Sequence, residues 1–470
     1  MKRIFLFSSL ILLIAKITVL TTGCASIIPP QGGPRDTIPP VLLKANPGDS
    51  SRNFTGNRIT FTFDEFVDVQ SVQGNLLVSP TPKNTPAVDF KLNTVTIRLK
   101  DSLEVNTTYS LDFGDAIKDY NEGNVMKGFT YIFSTGSYID SLGLSGKVIL
   151  AEDGKTDSTL IVMLHKNADD SAIIKEKPRY IAKLDGKGNF IFKNLPPGTF
   201  YLYALKDEGG SRRYFDNKQL FGFAGNPVVT SQKNEPVTLY AFAEKKEVQP
   251  QAPALTQRRG ATKEGGDNRL RLQSNLMNNL LDLQEDLAIS FELPLRSFDS
   301  SKISLAIDSA YTPATGYNFI KDSTGKKIQV KYSWTENTTY HLILNKDFAA
   351  DSTGRKLLRT DTLSFTTKKK EDYGTLSIRF RNLDLSKNPV LLFIQGDGIK
   401  KSFSLASADF SQSLFIPGEY QLSILNDENK NGKWDPGEFF GKHKQPEIVK
   451  PVERRINVKP GQDNEFEINL

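Results

Sequence analysis

This chain has almost no cysteine: Cys24 is the only one in 470 residues. Without a second thiol there is no internal disulfide and no Cys-based zinc spacing. Histidine is nearly as scarce. His165 and His341 fall in alternating strand segments and His443 in a loop, and no two are close in sequence. No glycine-rich phosphate cradle is present, and adjacent carboxylates such as Asp64 and Glu65 point to opposite faces of a strand. The expectation is therefore a protein that is not an enzyme. An excess of one charge is also lacking. Lys2, Arg3 and Lys16 supply three of the formal +6, so the chain beyond them carries about +3. No five like charges run together, and Lys368 to Lys370 is followed at once by Glu371 and Asp372. Nucleic-acid binding has no electrostatic basis here. Long hydrophobic runs are missing as well. The stretch Ile4 to Leu20 is interrupted by Ser8, Ser9, Lys16 and Thr18. It falls short of the roughly 18 unbroken apolar residues of a spanning helix, and Lys16 sits badly in hydrocarbon.

What is there begins with that stretch. Lys2 and Arg3 precede it and Thr21, Thr22, Gly23 and Cys24 follow it. A charged start, an apolar core and a small-residue end are the parts of an export signal. The window resembles a lipobox, in which the cysteine after a small residue is acylated and becomes the new N-terminus. That resemblance makes residues 1–23 a lipoprotein signal peptide and Cys24 the lipid anchor, with several acyl chains holding the protein firmly to a membrane. The alternative is an ordinary secretory peptide followed by a free thiol, which is a liability in an oxidising compartment.

The rest of the chain holds 30 Phe, 15 Tyr, 34 Gly and 24 Pro. With apolar residues alternating almost throughout, this composition reads as an all-β protein of sheets joined by turns. Residues 24–40, rich in Pro and Gly, read as a tether. Beyond them two kinds of module occur, and then both occur again. Ile59 to Phe63, Val95 to Leu99, Asn106 to Leu111 and Tyr131 to Thr135 recur in order as Leu287 to Phe291, Ile328 to Tyr332, Asn337 to Leu342 and Leu363 to Thr367, displaced by about 230 positions. Phe192 to Leu202 likewise matches Phe415 to Leu422, and Asp207 precedes Asp427 by 220 positions. The expected order is A-B-A'-B': β-sandwiches over 41–137, 138–244, 269–370 and 371–470, with a flexible linker over 245–268. The linker's Pro, Gly and near absence of large apolar residues imply that the two halves move independently.

The first and third modules resemble the SbsA-type bacterial Ig-like domain. The resemblance rests on the Phe61-Thr62-Phe63-Asp64-Glu65 strand, the Asn106-Thr107-Thr108-Tyr109 turn, the Asp119 to Asn124 loop and the closing Phe-Ser/Thr-Thr strand. The third module departs from it at Glu292-Leu293-Pro294 and Ser352-Thr353-Gly354. The second and fourth modules resemble prealbumin-like or collagen-adhesin B-type sandwiches through Leu195-Pro196-Pro197-Gly198-Thr199-Phe200 and Ile416-Pro417-Gly418-Glu419-Tyr420. The segment Gln31 to Pro40 is similar to the opening of Bacteroidota lipoproteins with Ig-like domains. That resemblance implies an outer-membrane location. The lack of acidic residues after Cys24 then favours the periplasmic face. Triplets such as Asp101-Ser102-Leu103, Asp140-Ser141-Leu142, Asp170-Ser171-Ala172 and Asp361-Thr362-Leu363 look like that phylum's O-glycosylation sites, or simply mark turns.

One segment carries ion chemistry. From Asp427 to Glu438 the chain satisfies the twelve-residue calcium loop: Asp427, Asn429 and Asn431 at positions 1, 3 and 5, Gly432 at 6, the Lys433 carbonyl at 7, Asp435 at 9 and Glu438 at 12. Its flanks are strand-like, so it joins two strands and is not an EF-hand. The rival reading is an Asn431-Gly432 hairpin turn without Ca²⁺. The earlier copy of the loop puts Gly209, Ser211 and Gln219 at the positions of Asn429, Asn431 and Glu438 and is expected to bind nothing. The functional expectation is a non-catalytic multi-domain scaffold, anchored to the outer membrane through acylated Cys24 and serving a protein partner in the envelope, such as an assembly, transport or secretion complex. The alternative is a surface adhesin or glycan-binding lipoprotein, with Tyr214, Phe215 and Trp434 as sugar-stacking candidates.

Overall fold

Period-two alternation of apolar and polar residues builds nearly every element of this chain. In the strand Arg58–Phe63, the side chains of Ile59, Phe61 and Phe63 are buried, and Arg58, Thr60 and Thr62 take the other face. The computed structural model describes residues 35–231, 234–245, 269–396 and 398–470. The signal peptide, Cys24, most of the tether and all but the first residue of the 245–268 segment lie outside the described residues.

The fold is all-β, with the expected duplication visible in the strand order. One sheet near the start runs Leu42–Asn46, Arg58–Phe63, Thr94–Arg98, Ala87–Lys91, and it faces a sheet of Leu77–Ser79, Thr108–Asp112 and Thr130–Ser134. The later counterpart runs Leu272–Ser274, Leu287–Phe291, Lys327–Lys331, Asn318–Lys321, facing a sheet that contains Ile303–Ile307, Thr339–Leu344 and Asp361–Thr367. The parallel Ser51–Phe133 bridge of the earlier copy is extended in the later one to the strand Leu280–Leu281 beside Asp361–Thr367. Aromatic residues fill the earlier core: Phe61 meets Phe113, Phe129 and Tyr131 edge-on, and Tyr109 stacks on Phe133. Each such ring, fully buried, contributes on the order of 1.5–3 kcal/mol.

The second kind of sandwich is also drawn twice. Leu142–Leu150 pairs with Asn189–Leu195 antiparallel and with Val237–Ala241 parallel. Gly374–Arg381 pairs in the same two ways with Asp409–Phe415 and Asp463–Asn469. The opposing sheets run Tyr180–Lys183, Leu160–His165, Gly198–Lys206, Phe221–Phe223 and Gly398–Ser404, Pro389–Gln395, Gly418–Asn426, Ile448–Val458. A parallel pair needs a long crossover, and here the whole opposing sheet lies between the two parallel strands in sequence.

The two halves are in contact, contrary to the expectation of independent motion. Phe439, from the last sandwich, belongs to a buried cluster with Met163, Tyr203, Phe221, Phe223 and Phe242 of the earlier one. The Val449 amide donates to the Ala151 carbonyl at 2.8 Å. Gly154, at φ +70, lies so close to Pro451 that a side chain there would collide with its ring. The composition of a linker says nothing about the faces of the domains that it joins.

Candidate functional site

The loop 427–438 leaves the strand Gly418–Asn426, whose buried Tyr420, Leu422 and Ile424 fix its first residue. Asp427 is itself buried. Its carboxylate accepts from the Gly432 amide at 2.7 Å and the Asn431 amide at 3.2 Å. Gly432 takes φ +74, which closes the turn that brings those amides back onto Asp427. Asn429 and Asn431 both direct their side-chain amides at one oxygen of Asp435, at 2.5 and 2.6 Å. Asp427, Asn429, Asn431 and Asp435 are thus brought together as the spacing predicts. They are hard oxygen donors, and turning the two amides over would present oxygens in place of nitrogens. That donor set fits a hard cation.

Glu438, expected at position 12, is placed elsewhere. Its carboxylate pairs with Lys442 at 2.7 Å and is not among the hydrogen bonds of the loop. The acid that closes the loop is Glu447, buried, with its carboxylate accepting from the amides of Glu428 at 2.9 Å and Asp435 at 3.0 Å. Burial pushes the Glu447 carboxyl up from its ordinary value, and the nearby Asp427 charge adds to that. Among the described residues no three His, Cys, Asp or Glu side chains are grouped closely enough to hold a metal ion. The loop therefore depends on its two asparagines. A fixed twelve-residue template assigns position 12 by count, and so it misses Glu447. The short hairpin between them, with Glu438 and Lys444 bridged antiparallel, is what displaces the count.

The earlier loop keeps the same turn without the same chemistry. Asp207 accepts from the Arg212 amide at 3.0 Å, as Asp427 does from Gly432, and Arg212 takes φ +58 where Gly432 takes +74. Tyr214 stands where Trp434 stands in the repeat. Of the three aromatics considered for sugar stacking, Tyr214 is buried, Trp434 is half-buried with its indole N–H on the Glu447 carbonyl, and only Phe215 is exposed.

The histidines are separate from this loop except for His443. Its Nε2 lies 2.8 Å from Asp170 of the second sandwich, and its ring stacks on Phe439. His341 Nδ1 is 2.8 Å from the cross-strand Ser364 hydroxyl, a pairing that spacing in sequence did not signal. Its ring stacks on Tyr311, and among the described residues its Nε2 has no hydrogen-bond partner. Among the described residues no carboxylate is hydrogen-bonded to that ring, as the third member of a nucleophilic triad would be. Cys24 lies outside the described residues.

Residues 36–135 match the bacterial Ig-like domain. This Ig-like domain takes in the whole first sandwich. No curated protein matches the chain by sequence. Among solved structures, the chain is similar to an L,D-transpeptidase from Mycobacterium smegmatis at 15% identity and TM-score 0.16, over 35% of this chain and 60% of that one. It is also similar to the N-terminal part of the bacterial S-layer protein SbsC, at 14% identity and TM-score 0.16 over 44% of each chain. The major pilin subunit BcpA of Bacillus cereus aligns at 10% identity and TM-score 0.17, over 70% of this chain and 99% of that one. The chain thus spans less than two thirds of the first two structures, and TM-scores this low carry no argument about activity.

Proposed function

We propose that this chain is a non-catalytic, lipid-anchored scaffold of the outer cell envelope, built from sandwiches braced against one another and held to the membrane by acylated Cys24. The observation that carries this reading is the bracing. The aromatic cluster around Phe439 and the Val449–Ala151 hydrogen bond join the second sandwich to the fourth. Leu283 and Tyr373 join the third to the fourth through a 2.7 Å hydrogen bond. Arg179 joins the second to the first by two bonds to Glu104, at 2.5 and 2.6 Å. A braced array of sheets presents fixed edges and loops to a protein partner, and that partner would be a component of an envelope assembly, transport or secretion complex. One calcium ion stiffens the array. The side chains of Asp427, Asn429, Asn431 and Asp435 and the Lys433 carbonyl would hold it, and the ion supplies the charge that two carboxylates in one loop need.

The periplasmic face is the proposed orientation, on the absence of acidic residues after Cys24. A surface adhesin or glycan binder has less support, because Tyr214 is buried and the Trp434 N–H is already engaged. Fractionation with palmitate labelling tests the anchor: the unmodified chain should be labelled and fractionate with outer membranes, and Cys24→Ser should be unlabelled and soluble. Digestion of intact cells by added protease would overturn the periplasmic orientation.

A further inference from the structure

Eight buried side-chain polar atoms have no hydrogen-bond partner among the described residues, and three of them belong to residues that line one cavity. They are Thr81 Oγ1, His165 Nε2 and Arg179 Nε. The cavity measures about 290 Å³ and lies where the Ig-like domain meets the second sandwich. Thr81, Pro82 and Lys83 form one wall, and His165 with the segment Glu176 to Arg179 forms the other. The junction is fixed from both sides. The Thr81 amide donates to the Arg179 carbonyl at 2.8 Å, and Lys177 reaches the Lys83 carbonyl at 3.0 Å. The Arg179 guanidinium is already oriented by Glu104 through its two terminal nitrogens, and its buried Nε is left without a hydrogen-bond partner among the described residues.

An unmade hydrogen bond at a buried polar atom costs on the order of 1–3 kcal/mol, and such atoms are few in folded proteins. Three gathered at one cavity are a coincidence unless something supplies their partners. The groups share a preference. Arg179 Nε–H donates only, the Thr81 hydroxyl can donate, and His165 Nε2 donates in one tautomer. The lining carries Lys83, Lys166, Lys177 and Arg179 against the single carboxylate of Glu176, which itself accepts from Asn167 at 2.8 Å. A donor-rich, net-positive cavity of this size selects an anionic group that accepts several bonds at once. Burial also keeps His165 uncharged at neutral pH, so it offers a hydrogen bond without a fixed charge.

We propose that this cavity is an oxyanion-binding site, taking a carboxylate or phosphate group of a small ligand between Thr81, His165 and Arg179. The site does not depend on the anchor or on the calcium loop. It would make a ligand part of the joint between the first two sandwiches, so that occupancy stiffens that joint.

The test uses the full chain with isotope-labelled histidine rings, titrated separately with inorganic phosphate, acetate and glucuronate, with chloride at matched ionic strength as control. The expected result is a saturable shift of the His165 signal, with those of His341 and His443 unmoved. Saturation by phosphate alone identifies a phosphate ligand, and saturation by acetate or glucuronate a carboxylate. Thr81→Val and Lys166→Ala, neither of which removes a protein–protein bond described above, should each weaken the response, Thr81→Val by about tenfold. Unchanged His341 and His443 signals would show that each variant is folded. No saturable shift with any of the three anions, or a response that both variants leave unaltered, would overturn the proposal.

Discussion

Truncating Phe439 should separate the second and fourth sandwiches while leaving each folded. Phe439 is 2% exposed and meets Tyr203, Phe221 and Phe223 at ring-centroid distances of 5.7, 5.2 and 5.0 Å. All three partners belong to the other sandwich, so the loss on Phe439→Ala falls on the docking and not on a core. Burial of this kind costs about 3–5 kcal/mol when a Phe becomes Ala. Beside the Tyr214–Phe440 ring stack and the Gly154–Pro451 contact, the junction holds hydrogen bonds from His443 to Asp170, Gln445 to the Phe223 carbonyl, the Phe439 amide to Glu244 and the Val449 amide to Ala151. Each of these hydrogen bonds contributes about 0.5–1.5 kcal/mol at most. Losing the aromatic anchor therefore shifts the docking equilibrium by roughly a hundredfold or more. The Val449 amide reports this directly, since its acceptor is Ala151 of the other sandwich. Hydrogen exchange of the peptide spanning 438–450 should accelerate by that factor in Phe439→Ala, with the peptide over Arg58–Phe63 unchanged. Phe440→Ala, at a ring that is 37% exposed, should do much less. If Phe439→Ala leaves exchange at Val449 as it was, the sandwiches are not held together by this cluster and the reasoning fails.

Other outcomes follow from the same geometry. Gly437→Ala should undock the sandwiches as Phe439→Ala does, because its Cβ would lie 2.6 Å from both the Lys444 carbonyl oxygen and the Phe242 ring; the exchange assay reads it. Calorimetry should show calcium binding that Asp427→Ala abolishes and Glu438→Gln leaves intact, since the Glu438 carboxylate is on Lys442; loss of binding in Glu438→Gln would return that residue to the loop. Burial holds the His165 imidazole down to about 4 from an ordinary 6.5, with Glu176 only partly opposing it. The unfolded chain therefore takes up that proton first as pH falls, so stability is unaffected above pH 6.5 and declines between 6.5 and about 4, by roughly 3 kcal/mol in all. Denaturation of the unmodified chain and His165→Gln across that range should show a decline in the former that is larger by about that amount.

The repeated architecture was legible because its determinants are local. Alternation in Ile59 to Phe63 and Leu287 to Phe291, and the Pro-Gly turns at Pro197-Gly198 and Pro417-Gly418, specify strands and corners without reference to distant residues. The parallel pairing of Leu142–Leu150 with Val237–Ala241 left no such mark, since a fully paired strand looks alike whichever neighbour it takes. The docking of the halves was equally hidden. Phe439 and Phe440 follow a polar loop outside any alternating run, and that misplaced pair of aromatics was the available signal. At the calcium-type loop, spacing placed Asp427, Asn429, Asn431 and Asp435 together because a single tight turn connects them. It did not foresee the pairing of Glu438 with Lys442, because the place of that residue depends on what the chain does after the turn, and here a hairpin follows that brings Glu447 back against the amides of the loop. The orphaned cluster of Thr81, His165 and Arg179 spans two sandwiches, and no periodicity links residues 84 positions apart.

The claim that this protein is an envelope scaffold is tested most directly by crosslinking the tagged chain in native outer membranes, recovering it, and identifying its companions by mass spectrometry against a Cys24→Ser control. The account predicts a reproducible set of envelope-complex subunits that depends on Cys24. Recovery of the anchored chain with no protein companion would contradict it.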